Sequence, residues 1–198
     1  EFAREYLQNK WNNERKTCEN SDLLPIAVGQ MKLENELAQK ADKLLICDTD
    51  LLVTKIYSEE YYGGYVHPDL EKAAISNNYD LYLLTYIDTP WEEDDLRDRP
   101  DQRLEMFNAF EAGLKKHNRP YIILKGEKKE RLETAISEID KILLTLARRN
   151  KRGVILIGEA GTGKTAIVRE INTRLINGTV PLPLKGCKIH NLDIPYIF

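Results

Sequence analysis

The run Gly158-Glu159-Ala160-Gly161-Thr162-Gly163-Lys164-Thr165 has the spacing GxxxxGK[ST], which suits a chain that must wrap backbone around phosphate. Its glycines let successive N–H groups converge on an anion and remove side chains that would block the approach. Lys164 would reach the outer phosphates as a point charge, and the Thr165 hydroxyl would hold Mg²⁺. The ligand class this chemistry implies is a nucleoside triphosphate, with ATP and Mg²⁺ as the expected pair.

The elements around the loop fit that use. Gly153-Val154-Ile155-Leu156-Ile157 precedes it as an apolar strand. Apolar residues 167, 168, 171 and 175 mark one face of the helix that follows, from Ala166 through Ile176. The N-terminus of that helix adds the positive end of its dipole. The loop's position is unusual: such loops commonly stand on the first strand of their domain, and this one lies near the C-terminus.

Upstream, Ser21-Asp22 offers an N-cap for a helix to about Ala41, with apolar residues at 24, 27, 31 and 38. Leu44-Leu45-Ile46-Cys47 is a short apolar run ending in Asp48-Thr49-Asp50, the pattern of a doubly buried strand with polar groups at its carboxyl end. A second such strand, Asp80–Thr85, leads into Asp88-Thr89-Pro90-Trp91. A helix from about Pro100 follows, with Leu104, Phe107 and Leu114 on one face. Tyr121–Leu124 reads as a strand, and a helix from Lys129 to about Leu146 carries Leu132, Ile136, Ile139, Leu143 and Leu146. Tyr61–Tyr65 reads as a glycine-hinged loop, and 192–198 has room for one more strand. Strands alternating with helices predict an α/β fold with a doubly wound, mostly parallel sheet and ligands at the carboxyl ends of its strands.

Composition bounds the rest. The 198 residues hold 31% charged and 42% hydrophobic side chains at a net charge of −3, so neither a nucleic-acid partner nor disorder is indicated. No apolar run approaches the roughly 18 to 20 residues of a membrane span, and no leader is visible, so a cytoplasmic location is expected. Cys18, Cys47 and Cys187 lie far apart, and His67, His117 and His190 have no ligand-like spacing, so neither a disulfide framework nor a zinc site is expected.

Two resemblances meet in the chain. Glu1-Phe2-Ala3-Arg4-Glu5-Tyr6-Leu7, Leu45-Ile46-Cys47-Asp48-Thr49-Asp50, Tyr79–Leu84, Asp88-Thr89-Pro90-Trp91, Leu96-Arg97-Asp98 and Arg103 resemble the kinase domain of NadR-type nicotinamide riboside kinases, over residues 1 to about 142. That resemblance implies a P-loop kinase fold that transfers phosphate from ATP, with Mg²⁺, to the ribose 5′-hydroxyl of a small nucleoside substrate in NAD biosynthesis. Asp48 or Asp50 would then act as general base or as an acid behind the metal. Arg97, Arg99 and Arg103 would form a lid over the transferring phosphate, Trp91 would stack on a ring, and Arg4 with Glu5 would hold the ribose. In that family the strand, phosphate loop and first helix stand immediately before the Glu1–Leu7 segment, where this sequence starts.

From about Glu138 onward, Ile139-Asp140, Arg148-Arg149-Asn150-Lys151, Leu156 to Arg169, Ile176-Asn177-Gly178 and Leu184-Lys185-Gly186 resemble the opening of the first nucleotide-binding module of Clp-type AAA+ unfoldases. That family's pore loop, acidic strand, sensors and arginine finger lie beyond the resembling segment, which is therefore expected to bind nucleotide without powering unfolding. The sequence thus divides into a kinase-like body, 1–146, and a strand–loop–helix unit, 147–198. The unit carries what the body lacks, so a circularly permuted arrangement in one sheet follows. Three readings stand: an ATP-dependent nucleoside kinase, a nucleotide-binding fragment of an AAA+ machine that would oligomerise, and an inactive fusion of the two.

Overall fold

A computed structural model of the protein describes residues 2–41, 44–90, 100–145, 153–158 and 161–185, with side chains described from residue 6 onward except at 100 and 143–145. Helix α1 spans Phe2–Glu14 and α2 spans Asn20–Lys40. Strand β1 (Leu45–Asp48) runs into α3 (Leu51–Tyr61) and α4 (Pro68–Ser76) before β2 (Leu81–Thr85). Helix α5 (Arg103–Lys116) leads to β3 (Tyr121–Leu124), and α6 (Lys128–Thr145) leads to β4 (Gly153–Ile157) and α7 (Lys164–Ile176).

The four strands form one parallel sheet in the order β1-β4-β2-β3. The last of the described strands, β4, therefore occupies an interior position, with Asp48 opposite Leu156 on one side and Leu84 opposite Ile157 on the other. Its residues Val154, Ile155, Leu156 and Ile157 are all buried, as a strand covered on both faces requires.

Side chains alternate between those faces. Ile46, Leu83, Val154 and Leu156 pack with Leu132, Ile136 and Ile139 of α6 and Ile167, Val168 and Ile171 of α7. Cys47, Tyr82, Leu84, Ile155 and Ile157 face the other way, against Leu52, Val53 and Ile56 of α3 and Phe107, Phe110 and Leu114 of α5. A smaller cluster joins α2 to α3 and α4 through Leu23, Ile26, Leu51, Leu70 and Ala74.

The doubly wound α/β reading and its four strands agree with this architecture. Helix α2 is capped two residues before Ser21, earlier than the sequence predicts: Glu19 is the N-cap, and Asp22 accepts the Glu19 N–H at 2.7 Å in a capping box. The segment 192–198 lies outside the described residues. No helix among those described is long and apolar enough to cross a membrane.

Candidate nucleotide-binding site

The carboxyl ends of the central strands bring three segments together: the phosphate loop after β4, Asp48-Thr49-Asp50 after β1, and Thr85–Thr89 at the end of β2. The loop departs from β4 through Gly158 at φ 143°, and bends again at Gly161 (72°) and Gly163 (86°), all in the region that excludes most side chains. Gly163 is the N-cap of α7, so the loop delivers directly onto a helix N-terminus.

Lys164 is the first residue of that helix and is 4% exposed, with its ammonium donating to the Gly158 carbonyl at 2.8 Å. The buried charge is thus folded back across the loop it serves. Thr165, the next residue, places its hydroxyl 3.5 Å from a carboxylate oxygen of Asp48, which is itself buried. A hydroxyl beside a carboxylate is an all-oxygen pair, suited to a hard divalent cation such as Mg²⁺. Among the described residues no group of three His, Cys, Asp or Glu side chains gathers into a metal site, so such an ion would rely on phosphate oxygens and water for its other ligands.

Beneath the loop, Thr162 is fully buried and its hydroxyl lies 2.6 Å from that of Thr85. Thr85 donates to the Ile157 carbonyl at 3.1 Å, so its lone pairs are left to accept from Thr162. Above it, Thr89 donates to the Gly161 carbonyl at 3.3 Å, and the Arg103 guanidinium donates to the Thr89 carbonyl at 3.0 Å. Arg103 therefore reaches the loop through one intermediary.

Asp50, the second acid of the segment, is held within the fold. It is the N-cap of α3, accepting the Val53 N–H at 2.9 Å through one oxygen and the Tyr82 hydroxyl at 3.0 Å through the other, with no exposed surface. Asp50 thus caps α3 from a buried position, and Asp48 is the acid of the pair that stands beside the Thr165 hydroxyl. Burial pushes the Asp50 carboxyl up to about 6, against the pull of its hydrogen bonds. The folded protein then holds this proton where the unfolded chain, with an aspartate near ~3.9, has released it. Stability from this group is full below about pH 4 and is lost as pH rises through about 6. Asp50→Asn should flatten that slope in denaturant titrations across this window; an unchanged slope would remove Asp50 as its source.

Between the two acids, Thr49 holds φ 88°, a strained value for a β-branched residue. Its N–H donates to the Leu156 carbonyl at 3.1 Å, and buried Gln30 of α2 donates to its carbonyl at 3.3 Å.

The other expected site residues are placed as follows. Glu159, Ala160, Trp91, Arg97 and Arg99 lie outside the described residues. Arg4 and Glu5 are in α1, but their side chains are not among those described. Tyr62 donates to the Cys18 carbonyl at 3.1 Å and Tyr65 is 51% exposed.

Sequence reasoning missed Arg131. It falls in the charged run Lys128-Lys129-Glu130-Arg131, which looks solvent-facing, yet it is 2% exposed. The available signal was its helical spacing: 131, 135 and 139 share the buried face of α6.

A parallel sheet with a glycine-rich loop running from an interior strand onto a helix N-terminus, and a lysine and hydroxyl opening that helix, defines an ATP-binding domain of the P-loop NTPase class. The chain belongs to the AAA domain family, which matches residues 1–131, a span that ends within α6 and before β4. Shorter similarities link it to curated ClpB chaperones. The protein of Propionibacterium freudenreichii is 47% identical over 58 residues, covering 29% of this chain and 7% of the relative. That of Bacteroides thetaiotaomicron is 49% identical over 57 residues, again 29% and 7%. That of Rhodopseudomonas palustris is 40% identical over 90 residues, 44% and 10%. The chain thus spans a tenth or less of the length of these relatives. No solved structure matches it.

Proposed function

We propose that the protein transfers the terminal phosphoryl group of MgATP to a hydroxyl of a small nucleoside, of the nicotinamide riboside type, through a circularly permuted kinase site. The observation that carries this reading is the seating of β4 between β1 and β2, which sets the Thr165 hydroxyl against Asp48. Segments 1–146 and 147–198 would then be one functional unit.

In this mechanism the loop N–H groups and the α7 N-terminus bind the β- and γ-phosphates. Lys164 exchanges its carbonyl partner for a phosphate oxygen. Thr165 and Asp48 would hold Mg²⁺, which would supply charge neutralisation on the phosphates. Asp48 or Asp50 would alternatively accept the proton of the attacking hydroxyl, a modest contribution beside positioning. Arg103, tethered through Thr89 to the loop, and Arg97 close over the transferring group, while Trp91, Arg4 and Glu5 hold the nucleoside.

The test is transfer of labelled γ-phosphate from ATP to nicotinamide riboside by the purified chain. Asp48→Asn should raise the Mg²⁺ concentration for half-maximal transfer by about tenfold or more, as loss of a metal-supporting carboxylate does. A folded chain that binds ATP but never labels the nucleoside would overturn the kinase reading.

The ClpB similarities favour a second reading, a nucleotide-binding segment of an oligomeric chaperone. It predicts ATP-dependent assembly in sedimentation velocity, and a chain that stays monomeric with ATP counts against it. The inactive fusion predicts a loosely held C-terminal unit, cleaved after about Ala147 whether or not ATP is present; the buried, doubly paired β4 weighs against it.

A further inference from the structure

We propose that Arg131 is a positioning residue that presets the phosphate loop for its ligand; the inference rests on the nucleotide-binding reading of that loop. The guanidinium uses all three nitrogens. Its Nη1 donates to the Thr162 carbonyl at 2.8 Å, its Nε to the Gly126 carbonyl at 2.8 Å, and its Nη2 to the Tyr86 carbonyl at 3.2 Å while pairing with Asp88. Asp88 in turn accepts the Gly126 N–H at 2.6 Å. One buried side chain thus joins the phosphate loop to the segments that leave β2 and β3.

The bond to Thr162 matters because of peptide geometry. The Thr162 carbonyl and the Gly163 N–H belong to one planar trans unit and point in opposite directions. Drawing that carbonyl toward Arg131 turns the Gly163 N–H the other way. Thr89 does the same one unit earlier, holding the Gly161 carbonyl and so aiming the Thr162 N–H. Two successive donors of the loop are thereby oriented before any phosphate arrives, which lowers the ordering cost of binding.

Only arginine fits this role. Its planar fork presents donors in three directions at once, whereas a lysine ammonium on a flexible stem cannot reproduce them. Asp88 offsets the cost of the buried cation, and both groups depend on the pairing.

The test compares wild type with Arg131→Lys, and with the milder Asp88→Asn in case the first variant does not fold. Amide hydrogen exchange at Thr162 and Gly163, measured without ligand, should accelerate about tenfold or more in the variant, while β2 and β4 amides keep their protection. Affinity for MgATP and for magnesium tripolyphosphate should fall by the same factor, about tenfold to a hundredfold, because the loss lies in the phosphate cradle rather than in any base contact. Unchanged loop exchange and affinity would overturn the positioning role, as would exchange that rises equally across the core, the mark of general destabilisation. Wild type that binds neither MgATP nor tripolyphosphate would instead overturn the nucleotide reading, with the exchange comparison still reporting on Arg131.

Discussion

Replacing Lys164 by alanine should abolish phosphoryl transfer while leaving the fold intact. Lys164 is 4% exposed and donates to the Gly158 carbonyl at 2.8 Å, a contact within the phosphate loop, and it belongs to none of the hydrophobic clusters that hold the sheet to its helices. Truncating it should therefore disturb the loop and leave the core packing in place. In the complex its charge would meet the outer phosphates. Loss of one preorganised cationic donor from a developing phosphate charge typically costs roughly 10²- to 10³-fold in rate. Calorimetric titration with MgATP should show weakened binding, and the thermal midpoint of the variant should stay near wild type. Lys164→Arg should not restore activity, because a planar fork does not fit the space of a point charge. Transfer or binding that survives Lys164→Ala within a few-fold would place the nucleotide elsewhere.

The phosphate loop was legible because its demands are local: glycines where φ is positive, a lysine and a hydroxyl opening a helix, and an apolar strand before them. The buried strands were legible for the same reason, as Leu44–Cys47 and Asp80–Thr85 are continuous apolar runs that only a doubly covered sheet accommodates. What the sequence could not supply was adjacency. Nothing in the spacing of Asp48 and Thr165, 117 positions apart, says that β4 seats beside β1, because strand order is set by the sum of contacts on both faces of the sheet. Helices α3 and α4 went unread for different reasons: α3 buries Thr54, Lys55 and Ser58 along with its apolar residues, so polarity does not mark its outer face, while α4 is a nine-residue helix that buries Leu70 and Ala74. Sequence alone leaves Asp50 open between a cap and a chemical acid, because both are the same residue type at the same strand end and differ in their hydrogen-bond partners.

Gly158→Ala should be severely destabilising. Its φ of 143° is one an L-residue rarely adopts, and a Cβ there would stand 2.0 Å from the Thr85 hydroxyl oxygen and 2.9 Å from the Thr85 carbonyl oxygen. Neither neighbour can withdraw easily. The hydroxyl is held by the Ile157 carbonyl and by Thr162, and the carbonyl belongs to the backbone at the end of an interior strand. Backbone strain and overpacking together should cost about 3 kcal/mol or more, read as a fall in the urea midpoint at unchanged slope. Thr85→Ala placed in the Gly158→Ala background should recover part of that loss by removing the hydroxyl, with a coupling of roughly 1 kcal/mol, while the backbone clash persists. Nucleotide affinity should fall in both variants, because the loop leaves β4 through this residue and any shift there is carried to Lys164. A Gly158→Ala protein within about 0.5 kcal/mol of wild type would mean that the close approach of the loop to β2 is not maintained in solution.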